Sequence, residues 1–169
     1  MPSLDPSTAS GRSATHFDIR REGGNLIAEF NSDPAHIRTV RQAVEEFCRE
    51  AGFDEVSCHE IGFAVNEAVA NIIRHAYHSI GQMPIDLKVR KSASEIEIEL
   101  RDWGSGRMPP SEKLSCSLSE CPVDPSPGGL GLVCMRALMD ELTFEPRQPG
   151  MVLRMRRSKD RRPYIRVSG

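Results

Sequence analysis

Apolar residues recur along this chain with two different periods, and the switches between them outline its elements. Residues 16–33, HFDIRREGGNLIAEFNSD, alternate apolar and polar on either side of Gly23-Gly24, a pair suited to the positive φ angles of a tight turn. Two antiparallel strands are predicted there. Asp33 before Pro34 has the form of an N-cap followed by proline at the first helical position, and Ile37, Val40, Val44 and Phe47 then keep helical spacing up to Gly52. A second cap, Asp54 or Ser57, opens a longer helical pattern that runs to about Ser79, where Gly81 and Pro84 stop it. Residues 85–103 return to a period of two around Ser92 to Ser94, a second hairpin.

Residues 104–127 lose all apolar periodicity and hold Pro109, Pro110, Pro122, Pro125 and Pro127, and a loop of this length inside a compact domain is usually functional. From Gly128 the pattern turns helical again, with Leu132, Met135, Leu138 and Met139 on one face. LTFEPR and MVLRMRRS follow as two more strands around Gln148-Pro149-Gly150. Three helices and about six strands, grouped in hairpins without βαβ alternation, predict an α+β fold: a two-layer sandwich with a mostly antiparallel sheet and helices on one face.

Bulk composition narrows the class. At 169 residues, 38% hydrophobic and 27% charged, the chain suits one soluble domain, and no apolar run is long enough for a membrane span. The first fifteen residues lack the apolar centre of a signal peptide and are expected to be a disordered leader, with the domain over 16–158 and a basic tail over 159–169. A cytoplasmic location is the default. Cys48, Cys58, Cys116, Cys121 and Cys134 match no metal or redox spacing, so reduced thiols are expected. A net charge of -2 gives no general attraction for nucleic acid, and the basic run at 154–166 is expected to be a solvated strand and tail.

One helix carries unusual chemistry. In the pattern containing AVNEAVANIIRHAY, the residues Glu60, Glu67, Asn71, Arg74, His75 and His78 fall within an arc of about 100° at helical spacing. A solvated stripe would look the same. Two details go further: the apolar arc is wide for a surface helix, and Glu67 with Asn71 is not an ion pair. Their i, i+4 spacing stacks a carboxylate and a neutral oxygen ligand one turn apart, an arrangement suited to a hydroxyl-activating base beside a Mg²⁺ site. RDWGSG, residues 101–106, ends a strand and is open to reading as a plain turn. GGLGL, residues 128–132, opens a helix, where main-chain N–H groups can approach an anion.

In order and spacing, NEAVAN, DWGSG, the Pro/Ser-rich loop and GGLGL resemble the N-box, first glycine box, ATP lid and second glycine box of the GHKL superfamily, and within it the RsbW-type anti-sigma factor serine kinases. The resemblance covers about residues 16–158. It implies an ATP- and Mg²⁺-dependent protein-serine kinase that is also an anti-sigma factor of a partner-switching system. The alternative is a non-catalytic ATP-binding module that sequesters a partner. The roles implied are Glu67 as general base and Asn71 as Mg²⁺ ligand. Asp102 would be the acceptor for the adenine amino group, with Gly104 making room for the ring and Gly106 starting the lid. Gly129, Leu130, Gly131 and Leu132 would form the phosphate segment, and Arg74 and His75 would lie near the nucleotide. The implied partners are an anti-anti-sigma protein of STAS type and a sigma factor or other target, with the chain a homodimer. Two departures from the family pattern stand out. Pro125, Ser126 and Pro127 replace the usual basic residue before the second glycine box, leaving phosphate neutralisation to Arg107, Lys113 or Arg74. Met151 follows Gly150 where threonine is common.

Overall fold

The computed structural model describes residues 15–107 and 129–162. Six strands form one antiparallel sheet in the order β1-β2-β3-β4-β6-β5: β1 (Phe17–Glu22), β2 (Asn25–Asn31), β3 (Pro84–Lys91), β4 (Glu95–Asp102), β5 (Glu141–Pro146) and β6 (Met151–Ser158). The first hairpin turns at Gly23-Gly24, both at positive φ, as the sequence predicts. Helices α1 (His36–Glu50), α2 (Glu55–Asn71) and α3 (Gly129–Leu138) complete the α+β fold.

Alternation decides which residues are buried. Leu26, Ala28 and Phe30 on β2 align with Val89, Leu87 and Ile85 on β3, and Ile96, Ile98 and Leu100 on β4 continue the same inward face. Helix α2 packs against both α1 and α3 and buries Ile61, Ala64, Val65, Ala68 and Val69, which explains its wide apolar arc. The outward sheet face is charged and self-paired: Arg154 joins Glu99 at 3.0 Å and Glu145 at 2.5 Å, and Arg90 joins Glu97 at 2.6 Å.

Two boundaries differ from the sequence expectation, and a third resolves an alternative it left open. Asp33 does not cap α1; its carboxylate accepts the Ala35 N–H at 2.9 Å in a turn, and the helix starts at His36. Of the two candidates for α2, Asp54 is the N-cap, accepting from the Ser57 N–H at 3.0 Å and the Ser57 hydroxyl at 2.7 Å. The α-helix then stops at Asn71, and Ile72–Ala76 forms a π-helical turn. There the Tyr77 N–H reaches the Ile72 carbonyl five residues back, at 3.0 Å.

The solvated basic run also needs correction. Arg157 is 0% exposed: the phase of β6 that buries Met151, Leu153 and Met155 points it inward too. Its guanidinium pairs with Glu60 at 2.6 Å, lies 3.3 Å from the Ser57 hydroxyl and donates to the Leu138 carbonyl at the end of α3. Arg161 donates to the neighbouring Ala137 carbonyl and to Asp140, so the start of the basic tail is packed. The expected leader, most of the long loop with Cys116, Cys121 and Lys113, and the end of the tail lie outside the described residues. Among the described residues no helix is long and apolar enough to cross a membrane.

Candidate active site

The β4 alternation sets the first element of the site. Asp102 is the next inward position after Leu100, a carboxylate where the pattern calls for an apolar side chain, and it is 5% exposed. Its Oδ1 accepts the Gly104 N–H at 2.9 Å. Burial pushes its carboxyl above the ordinary range, opposed by that N–H, by Arg101 and by the Met151 N–H. A buried, ionisable acceptor at a strand end can take a hydrogen bond from a ligand amino group.

The glycines of DWGSG lie on the π turn. A Cβ on Gly104 would stand 2.4 Å from the Ala76 carbonyl oxygen, and one on Gly106 would stand 3.3 Å from the Ala76 Cα. The Ser105 N–H donates to that same carbonyl at 3.1 Å, and the His78 Nε2 is 3.2 Å from the Ser105 hydroxyl. Gly150 closes the other side, since a Cβ there would meet the Asp102 carbonyl at 2.0 Å. Ala76 carries no sequence signal of this contact, whereas Gly150 stands in the turn the sequence predicts between the last two strands; its positive φ of +91° belongs to the hairpin that brings Met151 beside Asp102.

Glu67 and Asn71 meet the first turn of α3. A Cβ on Gly131 would lie 2.7 Å from Glu67 Oε2 and 3.5 Å from both amide atoms of Asn71. Glu67 Oε1 accepts from the Asn66 amide at 3.3 Å. Asn71 Oδ1 is buried, with no hydrogen-bond partner among the described residues. An oxygen in that condition suits a cation ligand, because leaving it unsatisfied costs about 1–3 kcal/mol. Among the described residues no group of three or more His, Cys, Asp or Glu is placed to hold a metal ion.

The other expected residues divide. Gly129 begins α3, Leu130 is 59% exposed, and Leu132 is packed in the core, which leaves only its main chain for a ligand. The Arg74 Nε donates back to the Ala70 carbonyl at 3.2 Å, and His75 is exposed. Arg107 lies at the edge of the described segment, beyond Gly106. Arg157 and Tyr77, both buried and both bonded to elements of the site, went unnoticed in the sequence; the phase of β6 was a signal for the first.

The family model for the histidine kinase-like ATPase domain matches residues 30–157. The BtrW serine/threonine-protein kinase of Bordetella bronchiseptica is 33% identical over 82 residues, which span 48% of this chain and 57% of that kinase. An anti-sigma F factor of Clostridium botulinum is 30% identical over 132 residues, covering 76% of this chain and 90% of that protein. The RsbW serine-protein kinase of Bacillus velezensis is 25% identical over 68% of this chain and 73% of its own. In fold, the chain is similar to a crystal structure of the RsbU and RsbW domains of a Mycobacterium tuberculosis protein, with a TM-score of 0.57 and 19% identity over 79% of this chain and 32% of that one. The matched sequence, which spans both helices and all the strands that build the site, makes the chain a member of the histidine kinase-like ATPase domain family, in its RsbW-type GHKL group.

Proposed function

We propose that the chain is an ATP-dependent protein-serine kinase and anti-sigma factor of a partner-switching system, working as a homodimer and phosphorylating a serine of an anti-anti-sigma protein. The observation that carries this reading is the side-chain-free approach of Gly131 to Glu67 and Asn71, which sets a helix N-terminus against a carboxylate and an orphaned amide oxygen. The relatives named as serine-protein kinases and an anti-sigma factor support it.

Asp102 would accept the adenine amino group, and the first turn of α3 would offer N–H groups to the phosphates. Asn71 Oδ1 would hold Mg²⁺, which when bound neutralises charge on the phosphates. Glu67 Oε2 would take the proton of the serine hydroxyl as its oxygen bonds to the terminal phosphorus and the bond to the departing ADP breaks. Asn66 holds the other carboxylate oxygen, so Oε2 keeps its lone pairs for that proton.

Transfer from labelled ATP to an acceptor protein co-purified from the native cell tests the reading. Glu67→Gln keeps the shape but cannot take the proton, so transfer should fall by about 10² to 10⁴ with ATP binding and partner capture retained. Transfer at the parental rate would remove Glu67 as base. No transfer by the parent to a verified partner would make the chain a sequestering module.

A further inference from the structure

Tyr77 is 2% exposed and follows the π turn directly. Its hydroxyl donates to the Pro84 carbonyl at 2.5 Å and accepts the Trp103 N–H at 2.8 Å. The β3–β4 ladder ends at Ile85 opposite Asp102, so Pro84 and Trp103 are the next facing residues. The hydroxyl is therefore inserted where a direct bond between them would close the next rung. It spreads the two strands while keeping both backbone groups satisfied.

The surroundings hold Tyr77 in that place. Ile80 and Met83 are tied to the residue that follows β2 through the Ser32 hydroxyl, which donates to the Ile80 carbonyl at 2.8 Å and accepts the Met83 N–H at 3.1 Å. Between Tyr77 and Met83, His78, Ser79 and Gln82 adopt positive φ angles of 50°, 61° and 66°, conformations that non-glycine residues seldom take and that the surrounding contacts must enforce. The fivefold hydrogen-bond step at Ile72 adds a residue to the turn and so rotates position 77 inward.

We infer that Tyr77 is a positioning residue that sets selectivity for adenine by fixing the strand end on which Asp102 sits. This rests on the proposed role of Asp102. An ionised carboxylate attracts the adenine amino group and repels the carbonyl oxygen that guanine presents at the same place, so discrimination depends on how firmly the carboxylate is held. Phosphate contacts are common to both nucleotides and do not depend on it.

Calorimetric titration of the full chain with Mg-ATP and Mg-GTP provides the test. Tyr77→Phe keeps the ring and removes the inserted hydroxyl. It should lower the ATP-over-GTP affinity ratio about two- to tenfold, by weakening ATP alone. An unchanged ratio, whether neither nucleotide weakens or both weaken equally, overturns the inference and leaves Tyr77 a packing residue. Asp102→Asn separates the two possible failures: if it leaves the ratio unchanged, the adenine role of Asp102 falls and the inference with it. A second measurement needs no variant. Coupling between bond and ligand is reciprocal, so Mg-ATP should slow hydrogen exchange at the Trp103 amide of the parent chain and Mg-GTP should not. Equal protection by both nucleotides overturns the inference even where Tyr77→Phe fails to fold.

Discussion

Arg157 on β6 and Glu60 on α2 meet at 2.6 Å with side chains 0% and 1% exposed, and the same guanidinium holds the last carbonyl of α3. One buried cation thereby joins the two helices whose other ends form the Glu67–Gly131 contact. Removing one partner of such a pair leaves a charge in a low-dielectric interior, at a cost of about 3–5 kcal/mol, whereas replacing both by apolar residues of similar volume is often close to neutral. Arg157→Met should therefore lower stability to urea by about that amount, and Glu60→Leu with Arg157→Met should recover most of it. Equal losses in the single and double variants would show that the Leu138 and Ser57 contacts carry the effect instead.

Gly131 occupies a helical position where alanine is intrinsically better by roughly 0.5–1 kcal/mol, yet its Cβ would press on Glu67 Oε2. Gly131→Ala should leave the melting temperature unchanged or higher while phosphotransfer falls about 10²-fold, the scale expected for a catalytic group displaced by about 1 Å. Thermal melts and single-turnover transfer on one preparation check both halves. Retained transfer would mean that Glu67 moves aside without consequence.

Asn71→Ala removes the orphaned oxygen. ATP affinity measured with Mg²⁺ should then approach the value measured in excess chelator, while the parent shows a clear gap between them. Identical gaps in parent and variant would place the cation elsewhere.

Asp102 predicts a pH effect of known sign. Its folded-state carboxyl titrates above the ordinary 3.8, so the folded chain holds its proton more tightly than the unfolded chain does. The destabilising cost is fully felt above the raised value and disappears below the ordinary one. Asp102→Asn should accordingly raise the melting temperature of the nucleotide-free chain at pH 7, with the gain shrinking as pH falls through the acid range. A gain independent of pH would contradict burial as the cause.

Much of this was legible in the chain because alternation is a strong signal when one sheet face is buried. Leu26, Ala28 and Phe30 and their partners on β3 follow it without exception. The same rule carries Asp102 and Arg157 inward as charged residues in apolar phase, positions where residue type and alternation point to opposite faces. The π turn left no such trace: IIRHA continues the apolar spacing of α2, and the turn is held by contacts of Tyr77 and Ala76 with Pro84 on β3 and with Trp103 and Ser105 just beyond β4. Those contacts join residues far apart in sequence, which local propensity does not encode. The helix start was missed for a related reason, since Asp33 satisfies a turn N–H as readily as a helical one.

Trp103 is the chain's only tryptophan, and its backbone is bonded to Tyr77 while the Arg101 guanidinium lies 4.9 Å from its ring centre. The protein thus carries its single indole one residue from Asp102, under a cation whose distance modulates its emission. Emission excited at the red edge of the absorption band, where tyrosine does not absorb, reports from this strand end alone, so occupancy there can be followed in the unlabelled chain, in real time and apart from events at Glu67.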